Sequence, residues 1–146
     1  MQNAGKIEDE AEGTNERIAW AAGFFDGEGC VNLVRNSNRK SWYPELQVGN
    51  VHKQSLERFR DIVGTGKIYA RKIVRDYRQM YVWVAAARQA EHALRLLTPY
   101  MITKRKQAEL ALQSRSCIGQ EALAQLQAES LPELAKAIKK LNRGEA

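Results

Sequence analysis

The sequence predicts an α+β domain built from one four-stranded antiparallel sheet with helices on one face. Two observations carry this prediction: apolar residues recur at helical spacing in several segments, and apolar and polar residues alternate in four others. A third is the order of these segments, which is helix, two strands, helix, two strands and then helices. At 146 residues, of which 44% are hydrophobic, the chain can bury the core of one such domain.

The chain begins with an acidic, polar stretch that has no apolar periodicity. We expect residues 1–13 to form a flexible arm and residues 14–146 to form the single domain. Thr14 or Asn15 can cap the first helix. The later elements are predicted in order as strands at 30–35 and 42–48, a helix at 51–63, strands at 67–74 and 78–85, helices at 88–97 and 104–114, and a last helix from a capping box at 130–133, within a C-terminal helical extension over about 115–146.

Alternation along each strand assigns its side chains to the helix-covered face or to the open face of the sheet. Asn32, Val34 and Gln47 are expected on the open face, because the residues beside them in sequence suit the core. Tyr69 and Arg71 are expected there for the same reason. In the fourth strand the predicted core residues are Met80, Val82 and Val84, which leaves Gln79, Tyr81 and Trp83 on the open face.

This predicted open face holds side chains that read base edges or stack on bases. A β-ribbon fits the major groove of DNA, where Arg pairs with guanine and Asn or Gln with adenine. An obligate protein–protein interface would also use Tyr, Trp and Arg, and an ordinary exposed sheet face is a third interpretation. Basic residues near both hairpin tips favour nucleic acid.

Charge and composition narrow the class of protein further. The formal net charge is +6 and the pI about 9.5, which is typical of a phosphate-binding surface but also of a solvated basic face. No stretch approaches the ~20 apolar residues that span a bilayer, and the acidic start does not resemble a signal or transit peptide. Cys30 and Cys117 are far apart and indicate free thiols in a reducing compartment. We therefore expect a soluble intracellular protein without a membrane partner.

Small residues near the end of the first helix form a bare ridge. Ala19, Gly23 and Gly27 are spaced four apart and share one helix face. Because glycine inside a helix costs about 0.5–1 kcal/mol relative to alanine, this ridge predicts the close approach of another backbone. The ridge ends beside Asp26 and Glu28, two acids that are disfavoured near a helix C-terminus unless a cation lies among them.

This stretch resembles the LAGLIDADG motif of homing endonucleases, which it matches from Ala22 to Gly29 as AGFFDGEG, with Ala21 in place of the opening leucine. Three later stretches also look familial: LQVGN at 46–50, GTG at 64–66 and TPYMITKRKQA at 98–108. Only one motif copy is present, so the chain is similar to the single-motif members, which act as homodimers. The resemblance implies the αββαββα fold of that family, followed by the C-terminal helices.

The resemblance implies a site-specific double-strand DNA endonuclease. Such an enzyme acts as a homodimer on a long pseudo-palindromic site and hydrolyses phosphodiesters with Mg²⁺, for which Mn²⁺ substitutes. Two metals that bracket the phosphate can supply the nucleophilic water and stabilise the leaving oxygen. The host would be a bacterial or phage-infected cytoplasm or an organelle that encodes the protein. Two alternatives stay open, a non-catalytic dimeric DNA-binding protein and an RNA-binding intron maturase.

The metal ligand implied by the motif is Glu28, aided by the backbone carbonyl of Gly27. Asp26 is the competing candidate and is assigned a supporting role at the helix end. Lys104 resembles the familial basic residue near the scissile phosphate, where it could stabilise the charged transition state. Lys106 is the second choice for that role.

Asn50 resembles a familial residue that positions water, although glutamine is more usual there. Because the asparagine side chain is one methylene shorter, Gln47 is the alternative candidate for contact with the water; for either residue a structural role at the strand end is the competing interpretation. His52 is expected to serve the N-terminus of the next helix rather than to act as a base. The residues expected to contact DNA are Asn32, Val34, Asn36, Asn38, Arg39, Lys40, Gln47, Tyr69, Arg71, Ile73, Gln79, Tyr81, Trp83 and Lys106, and those expected in the dimer interface are Ala19, Gly23, Phe24 and Gly27.

Overall fold

The computed structural model describes residues 2–36, 41–75, 77–115 and 121–144. Its elements are α1 (Gln2–Glu28), β1 (Gly29–Asn36), β2 (Ser41–Asn50), α2 (Lys53–Val63), β3 (Lys67–Ala70), β4 (Tyr81–Ala86), α3 (Arg88–Leu97), a 3-10 turn (Thr98–Tyr100), α4 (Arg105–Arg115) and α5 (Glu121–Asn142). The strands form one antiparallel sheet in the order β1-β2-β4-β3. The predicted α+β class with a four-stranded antiparallel sheet is therefore confirmed.

The core lies between the helices and one face of the sheet. From α1 it takes Ala21, Ala22 and Phe25, all fully buried, and their spacing is the helical stripe visible in the sequence. Phe59 of α2 stacks on Phe25 with ring centroids 6.3 Å apart. The C-cap of α2 is Gly64, whose φ of 81° is the left-handed conformation that glycine adopts at helix ends. No helix within the described residues is both long enough and apolar enough to cross a bilayer.

The side chains of the fourth strand point the opposite way from the prediction: the set predicted to be on the open face is the one that faces the helices. Trp83 is fully buried in the core, and the register pairs it with the core residue Val48. Tyr81 has the same alternation as Trp83 and therefore faces the helices, while Val82 and Val84 lie on the open face. The predicted placement of Tyr81 and Trp83 on the open face is wrong.

The cavity that receives the Trp83 indole explains this result. Its ring packs edge-on against Phe59, with centroids 4.8 Å apart, and its Nε1–H donates to the carbonyl of Thr65 at 3.0 Å. Gly66 has a φ of 94°, and a Cβ at this position would collide with the indole. Both alternating sets of β4 side chains are apolar enough to face the core. The set that contains Trp83 does so because Gly66, just before the neighbouring strand β3, leaves space for the indole.

The third and fourth strands are also shorter than predicted. β3 ends at Ala70 rather than at residue 74, and β4 begins at Tyr81 rather than at residue 78. One further backbone bond, from Arg71 N–H to the Met80 carbonyl at 2.8 Å, continues the ladder. Beyond this bond, the side-chain amide of Gln79 donates to the Arg71 and Met80 carbonyls, so a side chain bonds the backbone where the strand ladder ends.

Both terminal helices extend beyond their predicted bounds. α1 begins at Gln2, so residues 2–13 are helical and neither Thr14 nor Asn15 is an N-cap. Glu, Ala and Lys in this stretch are good helix formers even without an apolar stripe; its predicted flexibility stays a prediction. α5 begins at Glu121 and contains Pro132 in its interior, so the predicted capping box does not start the helix.

The C-terminal helix packs against the outer edge of the sheet. Ile138 of α5 is fully buried, and the Asn142 amide donates to the Val31 carbonyl of the edge strand β1 at 2.8 Å. α4 is held to α3 by Glu91, which accepts bonds from Arg95 and Arg115. Burial raises the pKa of Glu91, but the two guanidinium groups outweigh it and leave that pKa below its usual value.

Candidate functional site

The first of the two motif acids fastens the end of α1 to the chain that precedes α4. The Asp26 carboxylate accepts the backbone N–H of Ile102 at 2.7 Å and that of Lys104 at 3.1 Å. The Lys104 ammonium donates in return to the backbone carbonyl of Asp26. This reciprocal contact satisfies a carbonyl of the last helical turn, which has no partner inside the helix. The geometry is that of the supporting helix-end role expected for Asp26.

The second motif acid has different surroundings. Glu28 is the last residue of α1 and is exposed, and no described side chain or backbone group bonds its carboxylate. The next residue, Gly29, packs so closely on Phe25 that a Cβ there would lie 2.5 Å from the ring. The chain therefore turns from helix into strand at a fixed point, and Glu28 projects from that turn.

The oxygen atoms at this helix end suit a hard cation. A carboxylate and a main-chain carbonyl of the last turn are the ligand types that Mg²⁺ and Ca²⁺ prefer. Among the described residues, however, no three His, Cys, Asp or Glu side chains cluster closely enough to hold a metal ion. In the described part of the chain, Glu28 and the Gly27 carbonyl are therefore candidate ligands without a cluster of three such side chains around them.

The small-residue ridge of α1 is exposed along its length. Ala19, Gly23 and Gly27 all lie on the surface, and a Cβ added at Gly23 or Gly27 would meet nothing within 4 Å. Packing among the described residues therefore gives no reason for these glycines. Phe24 lies beside the ridge and not on it, since it stacks on Trp20 at 5.1 Å between ring centroids. The Trp20 ring in turn carries the Arg58 guanidinium at 5.1 Å.

The junction between β2 and α2 holds the two candidates for positioning water. The Asn50 side-chain oxygen accepts the backbone N–H of His52 at 2.8 Å, which closes a turn. His52 accepts the Ser55 N–H and is the N-cap of α2, so its expected role at the N-terminus of that helix is confirmed. Gln47 lies on the open face and pairs with Cys30 of β1, which follows Glu28 by two residues. Asn50 instead has the alternation of the core-facing residues.

The open face of the sheet holds most of the strand residues expected to contact DNA. The ladder places Asn32, Val34, Asn36 and Gln47 on it, and Tyr69 there is 52% exposed. Further residues share this face by alternation and were missed because the prediction followed only part of each strand: Tyr43, Glu45, Lys67, Val82 and Val84.

The remaining predicted contacts lie elsewhere. Arg71 and Ile73 are exposed just beyond β3, and Lys106 is exposed on α4. Gln79 is half-buried against backbone carbonyls. Asn38, Arg39 and Lys40 lie outside the described residues. Exposed basic residues gather on the chain that joins β3 to β4, where the structure describes Arg71, Lys72, Arg75 and Arg78.

Three solved structures are similar to this chain along most of its length. The homing endonuclease I-CvuI, in complex with the I-CreI target in the presence of Mg and with the DNA not cleaved, is 26% identical, with a TM-score of 0.71 over 88% of this chain and 83% of that one. The archaeal intron-encoded homing endonuclease I-Vdi141I, complexed with DNA, is 18% identical, with a TM-score of 0.72 over 87% and 84%. The homing endonuclease I-TnaI is 21% identical, with a TM-score of 0.60 over 86% and 93%.

No protein-family model and no curated protein sequence matches the chain. The two structures below 25% identity show the fold alone, and the I-CvuI match adds sequence similarity to it. Together with the motif at the end of α1, they confirm the resemblance found in the sequence: this chain has the LAGLIDADG homing-endonuclease fold and carries one copy of the motif.

Proposed function

We propose that this chain is a site-specific DNA endonuclease that acts as a homodimer and hydrolyses phosphodiesters in both strands with a divalent metal, Mg²⁺ or Mn²⁺. The observation that carries the proposal is the exposed Glu28 at the end of the exposed ridge, beside an open sheet face. The similarity to the homing endonuclease I-CvuI, solved on an uncleaved DNA target in the presence of Mg, supports DNA as the substrate.

The dimer follows from the ridge. A two-fold axis brings a surface patch against its own copy, so a stripe of small residues on one subunit meets the same stripe on the other. Gly23 and Gly27 have no side chain to keep the two helices apart. Such a pairing, made by Ala19, Gly23 and Gly27 with Phe24 at its flank, brings the two copies of Glu28 close together.

In this dimer the metal would be held by Glu28 and the Gly27 carbonyl. Two protein ligands from each chain would be few, but Mg²⁺ keeps several waters and binds phosphate oxygens, so it needs few ligands from the protein. A bound divalent metal activates a water and neutralises charge on the phosphate and the leaving oxygen. The exposed Glu28 carboxylate is positioned to supply the negative charge that retains such an ion between DNA and protein.

Three other residues support the reaction from fixed positions. Lys104 is tied to the Asp26 carbonyl and so holds a positive charge at the end of α1, where it can stabilise negative charge on the phosphate. Gln47 lies on the open face and can orient a water or contact a base. Asn50 holds the turn after β2, which favours a positioning role for it over direct contact with water.

The open face would lie in the major groove. Asn32, Val34, Asn36, Gln47 and Tyr69 would contact bases, and the exposed Arg71 and Ile73 would extend the contact beyond β3. Tyr81 and Trp83 are removed from this set because they face the core. Tyr43 and Lys67 take their place on the open face.

Sequencing the ends cut from a randomised duplex library tests the proposal. With Mg²⁺ we expect pseudo-palindromic sites, cut in both strands with a short fixed stagger, and no cutting with EDTA. Specific binding without any cut would instead support a dimeric DNA-binding protein. Binding restricted to structured intron RNA would support a maturase.

A further inference from the structure

An acidic residue lies in the middle of the open face. Glu45 belongs to β2, an inner strand, and the ladder pairs it with Asn32 of β1 and Ala86 of β4. Its carboxylate accepts the Gln47 side-chain amide, with Nε2 and Oε1 2.7 Å apart. Neither residue was expected to form such a pair, and Glu45 was not among the predicted DNA contacts.

The orientation of the Gln47 amide follows from the chemistry of its partner. An ionised carboxylate only accepts hydrogen bonds, so the NH₂ group and not the oxygen of Gln47 must face Glu45. The contact uses one N–H. It leaves a second N–H and the amide oxygen of Gln47, together with the second oxygen of Glu45, which is an acceptor and cannot donate.

No positive charge neutralises Glu45 among the described residues. In the described part of the chain the ion pairs involve other acids, and the Glu45 carboxylate is bonded only by the neutral Gln47 amide. A carboxylate that has no positively charged partner, on a surface that faces phosphates, repels every DNA sequence alike. Its presence is explained if it accepts hydrogen bonds from particular bases.

We propose that Glu45 and Gln47 form a specificity-determining pair that reads amino groups in the major groove. This inference rests on the proposed function. Glu45 accepts from cytosine N4 and opposes guanine, because guanine presents only acceptors, O6 and N7, in the major groove. Gln47 retains the donor and acceptor that suit adenine N7 and N6.

The side-chain ends of the pair lie close enough to reach neighbouring bases. Gln47 Nε2 and Glu45 Oε1 are 2.7 Å apart, and successive bases of one strand are stacked about 3.4 Å apart. The open-face residues that flank the pair on the neighbouring strands include the small Cys30, Val84 and Ala86, and both Glu45 and Gln47 are partly exposed. In a homodimer the same preference appears once in each half-site.

Binding-site selection from a randomised duplex library in Ca²⁺ tests the pair, with the wild type compared to Glu45→Gln. We expect the wild type to prefer cytosine over guanine at one position per half-site, by on the order of tenfold or more. Glu45→Gln should lose most of that preference while its affinity for unselected DNA rises. Glu45→Lys should exchange it for guanine, since lysine donates to O6 and N7.

Glu57→Gln is the control, because Glu57 is a partly exposed acid on α2, where it pairs with Lys53 away from the open face. It should leave the base preferences unchanged. An unchanged preference profile in both Glu45 variants, with an enriched site for the wild type, would overturn the pair and leave the proposed function standing. If the wild type enriches no DNA site at all, the proposed function and this inference fall together.

Discussion

The packed side and the exposed side of α1 differ in what surrounds their carboxylates. On the packed side, Asp26 accepts two backbone N–H groups and joins the helix to the chain before α4. On the exposed side, Glu28 has no bonded partner among the described residues. The same contrast separates the buried Ala22 from the exposed Gly23.

This difference indicates that the motif has two separable roles, one in packing within the chain and one at its surface. Residues on the packed side are explained by contacts within the chain, because removing them would leave cavities or unbonded groups. Residues on the exposed side are not explained by such contacts. Substitutions on the two sides should therefore fail in different assays.

The largest effect is expected from Glu28→Gln. The amide has the same shape but no charge to hold a divalent metal, and metal-ion stabilisation is worth several kcal/mol. We expect cleavage of the selected site in Mg²⁺ to fall on the order of 1,000-fold, with an unchanged melting temperature. Cleavage at the wild-type rate would refute the assignment of Glu28 as metal ligand.

The next effect is expected from Gly23→Leu. The site is open within one chain, so the subunit should fold as well as the wild type. In the dimer both copies of the side chain would clash, and overpacking costs about 1–3 kcal/mol per site. Sedimentation equilibrium should show dimer dissociation constants raised on the order of 100-fold.

Gly13→Leu provides the matched control for that variant. Gly13 is in the same helix, and a Cβ there also meets nothing within 4 Å, but it lies outside the ridge. It should leave the dimer intact. Equal dissociation constants for the two leucine variants would show that the ridge is not the interface.

The smallest effect is expected from Asp26→Asn, and it should appear in stability. The amide keeps one acceptor but loses the charge that strengthens two hydrogen bonds. We expect the free energy of unfolding in urea to fall by about 1–3 kcal/mol. Glu28→Gln is the control and should not change it; if the two amide variants are equally stable, the two sides of α1 do not differ as described.

Sequence patterns predicted the elements whose periodicity allows one solution. In α1 and α2 a single apolar stripe faces the core, and Phe25 and Phe59 lie where it places them. In β4 both alternating sets are apolar, so a residue outside β4 had to decide between them. That residue is Gly66, which lies just before β3 and leaves the space that Trp83 fills.

The candidate site was predicted in part for the same reason. The motif predicts both Asp26 and Glu28 at the end of α1. Their different surroundings depend on Ile102 and Lys104, which lie more than 70 residues away in the sequence. Glu45 could have been found from the sequence, because it shares the alternation of Gln47. Its bond to Gln47 required the structure.

The attachment of α5 to β1 has a consequence for solubility. An uncovered edge strand offers a row of unpaired N–H and C=O groups on which strands of other molecules can add. At the β1 edge, Asn142 donates to the Val31 carbonyl and Ile138 of the same helix is fully buried. The opposite edge strand, β3, is only four residues long. Removal of the last helix would therefore expose the longer edge, and the shortened chain would self-associate through it into aggregates.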